Sequence, residues 1–309
     1  MSAYIHSYCT ISRRETFARG ILATMNEKRS ETIIHPDFTM VIKPELIRRM
    51  SPMIRMGVGA ALAAKGERGI DGIIVGTGLG CMENTEKFLD QFVMKDEGIL
   101  APTAFIQSTH NTVAGQIALT LGNTCYNSTY TQRGVSFENA LTDAMMLCNE
   151  IKSNILVGGI DECTPLMTQL GITAGLDSKI YGEGASFLVL NDKADGALSK
   201  VSGCFNFSGD TSSLASTVSK FLDNSGLKKP DLILFGDSGV TTSGLLDLLA
   251  DIKTINYSDI CGNYMSNSAF ALQMASEIIE GKGAIKATKV LIVHNFSDAD
   301  FGLIYIEKP

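Results

Sequence analysis

The sequence predicts an α/β protein made of two halves of similar order, and three observations predict it. Short apolar runs rich in Ile, Val and Leu end in glycine turns, as in DGIIVGTG (71–78) and DLILFGDSG (231–239). Segments of helical periodicity separate such runs, and the order of the first half returns in the second. A chain of 309 residues with 45% hydrophobic content can also bury a core large enough for one big domain or two fused halves.

After an N-terminal segment to about residue 42, KPELIRRMSPMIRMGVGAALAAKGE (43–67) has apolar residues at helical spacing, with Pro52 as a possible kink. DGIIVGTG reads as a buried strand, and MENTEKFLDQFVMK (82–95) returns to helical periodicity. The alternation continues through helix 110–121, strand 124–130, helix 134–151 and strand 154–159. ASFLVLN (185–191) and KVSGCFNFS (200–208) read as a strand hairpin. In the second half DLILFGDSG answers DGIIVGTG, and the helix YMSNSAFALQMASEIIEG (264–281) answers HNTVAGQIALTLG (110–122). KVLIVHN (289–295) answers NILVGG (154–159), and FGLIYIEK (301–308) answers ASFLVLN. The expected halves are 1–191 and 192–309; a single doubly wound sheet without duplication carries the same alternation.

A net charge of −7 without a long like-charged block gives no nucleic-acid surface and no disordered tail. No signal-peptide core and no stretch of about 18 apolar residues is present, so a cytoplasmic protein without a membrane span is expected. The seven cysteines (Cys9, Cys81, Cys125, Cys148, Cys163, Cys204, Cys261) are odd in number and lack a C-x-x-C pair, which disfavours a disulfide framework and a zinc site. They read mostly as packed small hydrophobes, Cys125 among them inside its strand.

Three strings, in order, carry a resemblance. NTVAG (111–115), VGGIDE (157–162) and YGEGASFLVL (181–190) resemble the interface-helix segment, the aGGvdE turn and the GEGAgvlvLe turn of β-ketoacyl synthases. The resemblance covers most of the chain, although this chain is shorter than the usual member. It implies a thiolase-like fold, two duplicated α/β halves forming a five-layered α-β-α-β-α core. The family's chemistry is decarboxylative condensation. A Cys thiolate at a strand-to-helix elbow takes an acyl chain from the phosphopantetheine of an acyl carrier protein, and two His and a Lys handle the extender unit.

Carried onto this sequence, the resemblance puts Gln132, in YTQRG, at the cysteine position. Asp237, in GDSG, falls at the first His, Asn263 at the second and Ser258 at the Lys. The glycine-rich gate of the family is replaced by SDAD (297–300). An amide can donate and accept hydrogen bonds but cannot carry an acyl group. His110 is expected to serve a helix start or a subunit contact, and His294 ends a strand near the expected pocket. The family's residues act as a unit, so losing them together implies loss of turnover.

This pattern resembles the chain-length factors, the inactive partners of ketosynthases in type II polyketide and aryl-polyene or flexirubin-type pathways, the latter also through FIQSTHNTVAG (105–115). It implies a non-catalytic subunit of a fatty-acid- or polyketide-type synthase. Such a subunit pairs with a ketosynthase, or with itself, and walls an acyl tunnel at an interface of helix 110–121 (Ala114, Gly115, Ala118) and strand 124–130. No cofactor is expected beyond acyl groups delivered on a carrier protein, which would dock mainly through the partner. Lys43, Arg48, Arg49 and Arg55 offer a basic face for that carrier or a solvated helix surface. Three other readings stay open: a Gln-type malonyl-carrier decarboxylase, a stand-alone homodimeric acyl-binding scaffold, and chemistry relocated to Cys261.

Overall fold

The protein is described here from a computed structural model covering residues 1–94, 102–174, 182–236, 251–297 and 299–309. Ten strands form one sheet: β1 Ala3–Ile11, β2 Gly72–Gly76, β3 Tyr126–Tyr130, β4 Ile155–Asp161, β5 Gly184–Asn191, β6 Ser199–Ser208, β7 Leu232–Gly236, β8 Lys253–Asn256, β9 Lys289–Ser297 and β10 Asp300–Glu307. The helices are α1 Thr16–Arg19, α2 Ile21–Thr24, α3 Pro44–Ile47, α4 Pro52–Lys65, α5 Met82–Met94, α6 Pro102–Ser108, α7 Thr112–Leu121, α8 Ser136–Ile151, α9 Pro165–Thr173, α10 Thr211–Asn224, α11 Ser258–Cys261 and α12 Ser268–Ile279.

The strand order is β3-β2-β4-β5-β1-β6-β10-β9-β7-β8. Read inward from each edge, 3-2-4-5-1 faces 8-7-9-10-6. Both sets have the same pairing: two parallel neighbours around β2 or β7, then antiparallel steps. The two fives meet where β1 runs antiparallel to β6, Ala3 opposite Val201 and Ile5 opposite Ser199.

Strands β2, β4 and β7 are buried on both faces, which is why they read as continuous apolar runs. Alternate residues separate the two faces. Ile74, Val157, Leu188, Leu234, Ile292 and Ile304 point into a central layer containing α8 and α12. Ile73, Val75, Leu156 and Phe187 face α4 and α7, while Ile233, Val293 and Phe301 face α10. The result is the five-layered α-β-α-β-α arrangement of a thiolase-like fold. All twelve residues of α12 are buried, and its small side chains let the two halves of the sheet close on it.

Several sequence expectations change. Residues 185–191 and 200–208 are strands but not a hairpin, because β1 lies between them and pairs with both. Pro52 does not kink a helix: Ser51 caps the Ile54 amide and Pro52 opens α4, leaving α3 as a separate turn. The topological counterpart of α12 is α8, since each precedes the corresponding strand β9 or β4; α7 instead packs with α4 in the outer layer. Cys125 is exposed just ahead of β3 rather than packed inside it, and Cys163 and Cys204 are half-buried. Among the described residues no helix is long and apolar enough to cross a membrane, and no group of three or more His, Cys, Asp or Glu is placed to hold a metal.

Candidate functional site

The parallel strands β2 and β4 end on one side of the sheet, and the turns that leave them help to build the site. The elbow between β3 and α8 comes first. Gln132 precedes a single 3-10 turn, Arg133–Val135, and the left-handed conformation falls on Arg133, at φ 51°. Gln132 is exposed. The next residue inward, Gly134, is buried with its Cα against Phe296; a Cβ there would sit 2.5 Å from the Phe296 side chain.

The second cluster lies at the start of α12. Ser258 opens α11, and Asn256 Oδ1 accepts its backbone N–H at 3.0 Å. Asn267 Nδ2 donates to Ser258 Oγ at 3.2 Å, to the Gly262 carbonyl at 3.1 Å and to Asn263 Oδ1 at 3.4 Å. The structure therefore brings Ser258 and Asn263 together through one amide. Asn263 is buried under Gly182, whose N–H donates to its carbonyl at 2.6 Å, and its own Nδ2 has no hydrogen-bond partner. Asp237 lies outside the described residues, as does Asp298 of the altered gate.

His294 is fully buried with both ring nitrogens engaged, Nδ1 to Tyr257 Oη at 2.7 Å and Nε2 to the Met265 carbonyl at 3.2 Å. A nitrogen facing a carbonyl must donate, so Nδ1 accepts the Tyr257 hydroxyl proton and the ring is neutral. Burial holds its pKa down at about 4. It bolts β9 to α11 and has no lone pair left for a substrate. Cys261 is buried, and its Sγ points to the Tyr257 and Gly262 carbonyls; burial pushes the thiol well above its ordinary pKa, which leaves no thiolate for chemistry. His110 is exposed ahead of α7.

Between the two clusters opens a cavity of about 430 Å³ with an almost wholly apolar lining. Its walls include Leu79, Met82, Met167, Leu170, Met265 and Phe296, with Glu162 and Cys163 the main polar intrusions. Neither Gln132 nor Asn263 lines it. Asp161 fixes the floor: Oδ1 accepts Gly78 N–H at 2.7 Å and Thr77 Oγ1 at 3.1 Å, and Oδ2 accepts Ser266 N–H at 2.8 Å and Ser266 Oγ at 2.7 Å. One carboxylate thus ties the ends of β2 and β4 to the start of α12. Burial raises its pKa, and the four hydrogen bonds oppose that shift. The VGGIDE string marked this turn, but nothing local in it names Thr77, Gly78 or Ser266 as partners. Cys163 Sγ lies 3.3 Å from Thr168 Oγ1, and burial raises its pKa too. Among the described residues the site is an apolar enclosure, and burial raises the pKa of the Cys163 and Cys261 thiols beside it.

The family model of the β-ketoacyl synthase N-terminal domain matches residues 25–170. Over that stretch the chain is similar to a β-ketoacyl synthase N-terminal domain. Solved structures agree over the whole ketosynthase-like fold. A type II polyketide synthase acyl-carrier protein in complex with its ketosynthase superposes with TM-score 0.80 at 15% identity, covering 100% of this chain and 99% of that one. The ishigamide ketosynthase/chain length factor gives 0.79 at 17% identity, with 100% and 99% coverage. A β-ketoacyl synthase from Burkholderia phymatum STM815 gives 0.77 at 14% identity, with 99% of each chain covered. At these identities the likeness is one of fold. No curated protein matches the sequence.

Proposed function

We propose that this chain is a non-catalytic ketosynthase-like subunit that pairs with an active β-ketoacyl-carrier-protein synthase and shapes its acyl tunnel, in the manner of a chain-length factor. The observation that carries the reading is the substitution of amides at two family positions. Gln132 takes the elbow, and Asn263 is locked with Ser258 into one buried network. A carrier protein bearing the acyl chain on phosphopantetheine, an aryl-polyene-type product and a cytoplasmic setting complete it.

The surface supports pairing. β3 is an edge strand whose outer side has no neighbour in the sheet, an arrangement that invites another chain. On the adjoining helices Phe105, Ile106 and Leu119 are exposed. Within α7, Ala114 turns into the core and Ala118 is half-buried, so Gly115, with open space where its Cβ would be, is the close-approach position. Lys43, Arg48 and Arg49 are exposed and Arg55 is half-buried, which leaves three cations free to meet an acidic carrier.

Co-expression with candidate ketosynthases should yield a stable one-to-one complex that condenses acyl units, while this chain alone consumes no malonyl-carrier substrate. Strong self-association that ignores every ketosynthase would replace the reading with a homodimeric acyl-binding scaffold. Gln132→Cys should not confer condensation on the isolated chain, because the nucleophile is only one member of a cooperating set. Measurable turnover by that variant alone would sink the proposal. Gly115→Leu should keep or raise folding stability by up to about 1 kcal/mol, as leucine suits a helix interior better than glycine. The same change should weaken the complex or shift product length, read by gel filtration and mass spectrometry; a complex and product unaltered by it would move the interface elsewhere.

A further inference from the structure

We infer that Glu162 makes the apolar cavity selective for chains ending in a neutral group and against chains ending in a carboxylate. The inference rests on the reading of that cavity as an acyl site and adds what decides which acyl compounds enter. Glu162 follows the floor residue Asp161 and lies in the cavity wall, half-buried, with one carboxyl oxygen accepting the Glu83 N–H at 2.9 Å. Its charged surroundings are acidic: Glu83 and Glu86 on α5 and Glu183 ahead of β5 each act on it, and Asp161 adjoins it. Arg13 acts electrostatically on the neighbouring Cys163 thiol, while the charges that act most on Glu162 are those of Glu83, Glu86 and Glu183. The rest of the wall is methionine, leucine and phenylalanine, a lining that adapts to a chain's shape but gives no counter-charge to a carboxylate.

An anion entering this cavity loses its water and meets a like charge in a medium that screens poorly. A neutral chain meets neither penalty. Burial also raises the Glu162 pKa to about 7, with the neighbouring carboxylates adding to the shift. The like-charge barrier is therefore weaker below neutrality, when Glu162 is protonated, and stronger above it.

The test is calorimetric titration of the full chain with 1-decanol and with decane-1-sulfonate, an anion whose charge is fixed across this range, at pH 6 and pH 8.5, for wild type and Glu162→Gln. Glutamine keeps the oxygen that accepts from Glu83 and removes the charge. The preference for decanol over the sulfonate should be at least tenfold larger at pH 8.5 than at pH 6 in wild type, and this pH dependence should be largely lost in E162Q. Met167→Trp, which fills the cavity, should abolish decanol binding. A preference that is the same in wild type and E162Q overturns the role of Glu162 while leaving the acyl site standing. Failure of both probes to bind, or decanol binding undiminished by M167W, overturns the cavity reading and the inference with it.

Discussion

Asp161→Ala is expected to lower folding stability by about 3–5 kcal/mol, the cost typical of removing one partner from a buried charged network. Its carboxylate is the acceptor for two backbone amides and two hydroxyls drawn from two separate segments, Thr77–Gly78 and Ser266. Alanine leaves all four donors buried and removes the tie that seats α12 against β2 and β4. Asp161→Asn keeps one acceptor oxygen and should fall between alanine and wild type, with its amide nitrogen facing a donor. Urea unfolding at neutral pH reads the effect as a lower midpoint at unchanged slope. Because Ser266 follows the cavity residue Met265, both variants should also lose decanol binding beyond what their folded fraction explains. A stability loss below about 1 kcal/mol for alanine would show that the carboxylate is not what holds these segments.

The second large effect concerns Glu138, which is fully buried in α8 beneath Gly302. Neither carboxyl oxygen has a hydrogen-bond partner. The Ser268 hydroxyl beside it works weakly against the shift without completing a hydrogen bond by strict geometry. Burial lifts the Glu138 pKa from 4.5 to about 7. A carboxyl whose folded pKa is raised binds its proton more tightly in the native state. Its contribution to stability is complete below pH 4.5 and is lost as the pH climbs to 7. The shift corresponds to about 3 kcal/mol. Glu162 and Asp161 shift in the same direction and His294 in the opposite one, so the wild-type profile mixes several groups. The comparison with Glu138→Gln isolates one. Relative to wild type, the glutamine variant should gain about 3 kcal/mol between pH 4.5 and pH 8, measured by urea unfolding across that range. Parallel profiles for the two proteins would mean that Glu138 is solvated or paired in solution.

The parts of the fold legible in the sequence are those where burial on both faces leaves no polar residue to interrupt a run. GIIVG, LILFG and VLIV declare β2, β7 and β9 in this way. β1 was not legible, because His6, Ser7 and Tyr8 break its alternation at the point where the register shifts against β5. Without β1, the runs before and after residue 195 look like neighbours joined by a turn. The helix correspondence failed for a related reason: small residues mark both α7 and α12, but one borders an outer layer and the other the centre. At the site, a family string singles out Ser258 and Asn263, and the network that joins them spans only ten residues. Asp161 and Glu138 could not be placed in this way. The donors to Asp161 come from 83 to 105 residues away, and Glu138 reads locally as an ordinary acid in a helix's first turn.

β1 has a consequence for how the molecule is made. Its two strand partners, residues 184–191 and 199–201, emerge long after it does. At ribosomal speeds of about 5–20 residues per second, that delay is on the order of ten seconds or more. During it the strand that will join both halves is an open edge, and the first half lacks one side of its sheet. Neither half is then expected to be a stable unit by itself. Folding should be a late, single event that begins once the chain has passed its midpoint, which makes early exposure to a chaperone or to a waiting partner part of this protein's ordinary life.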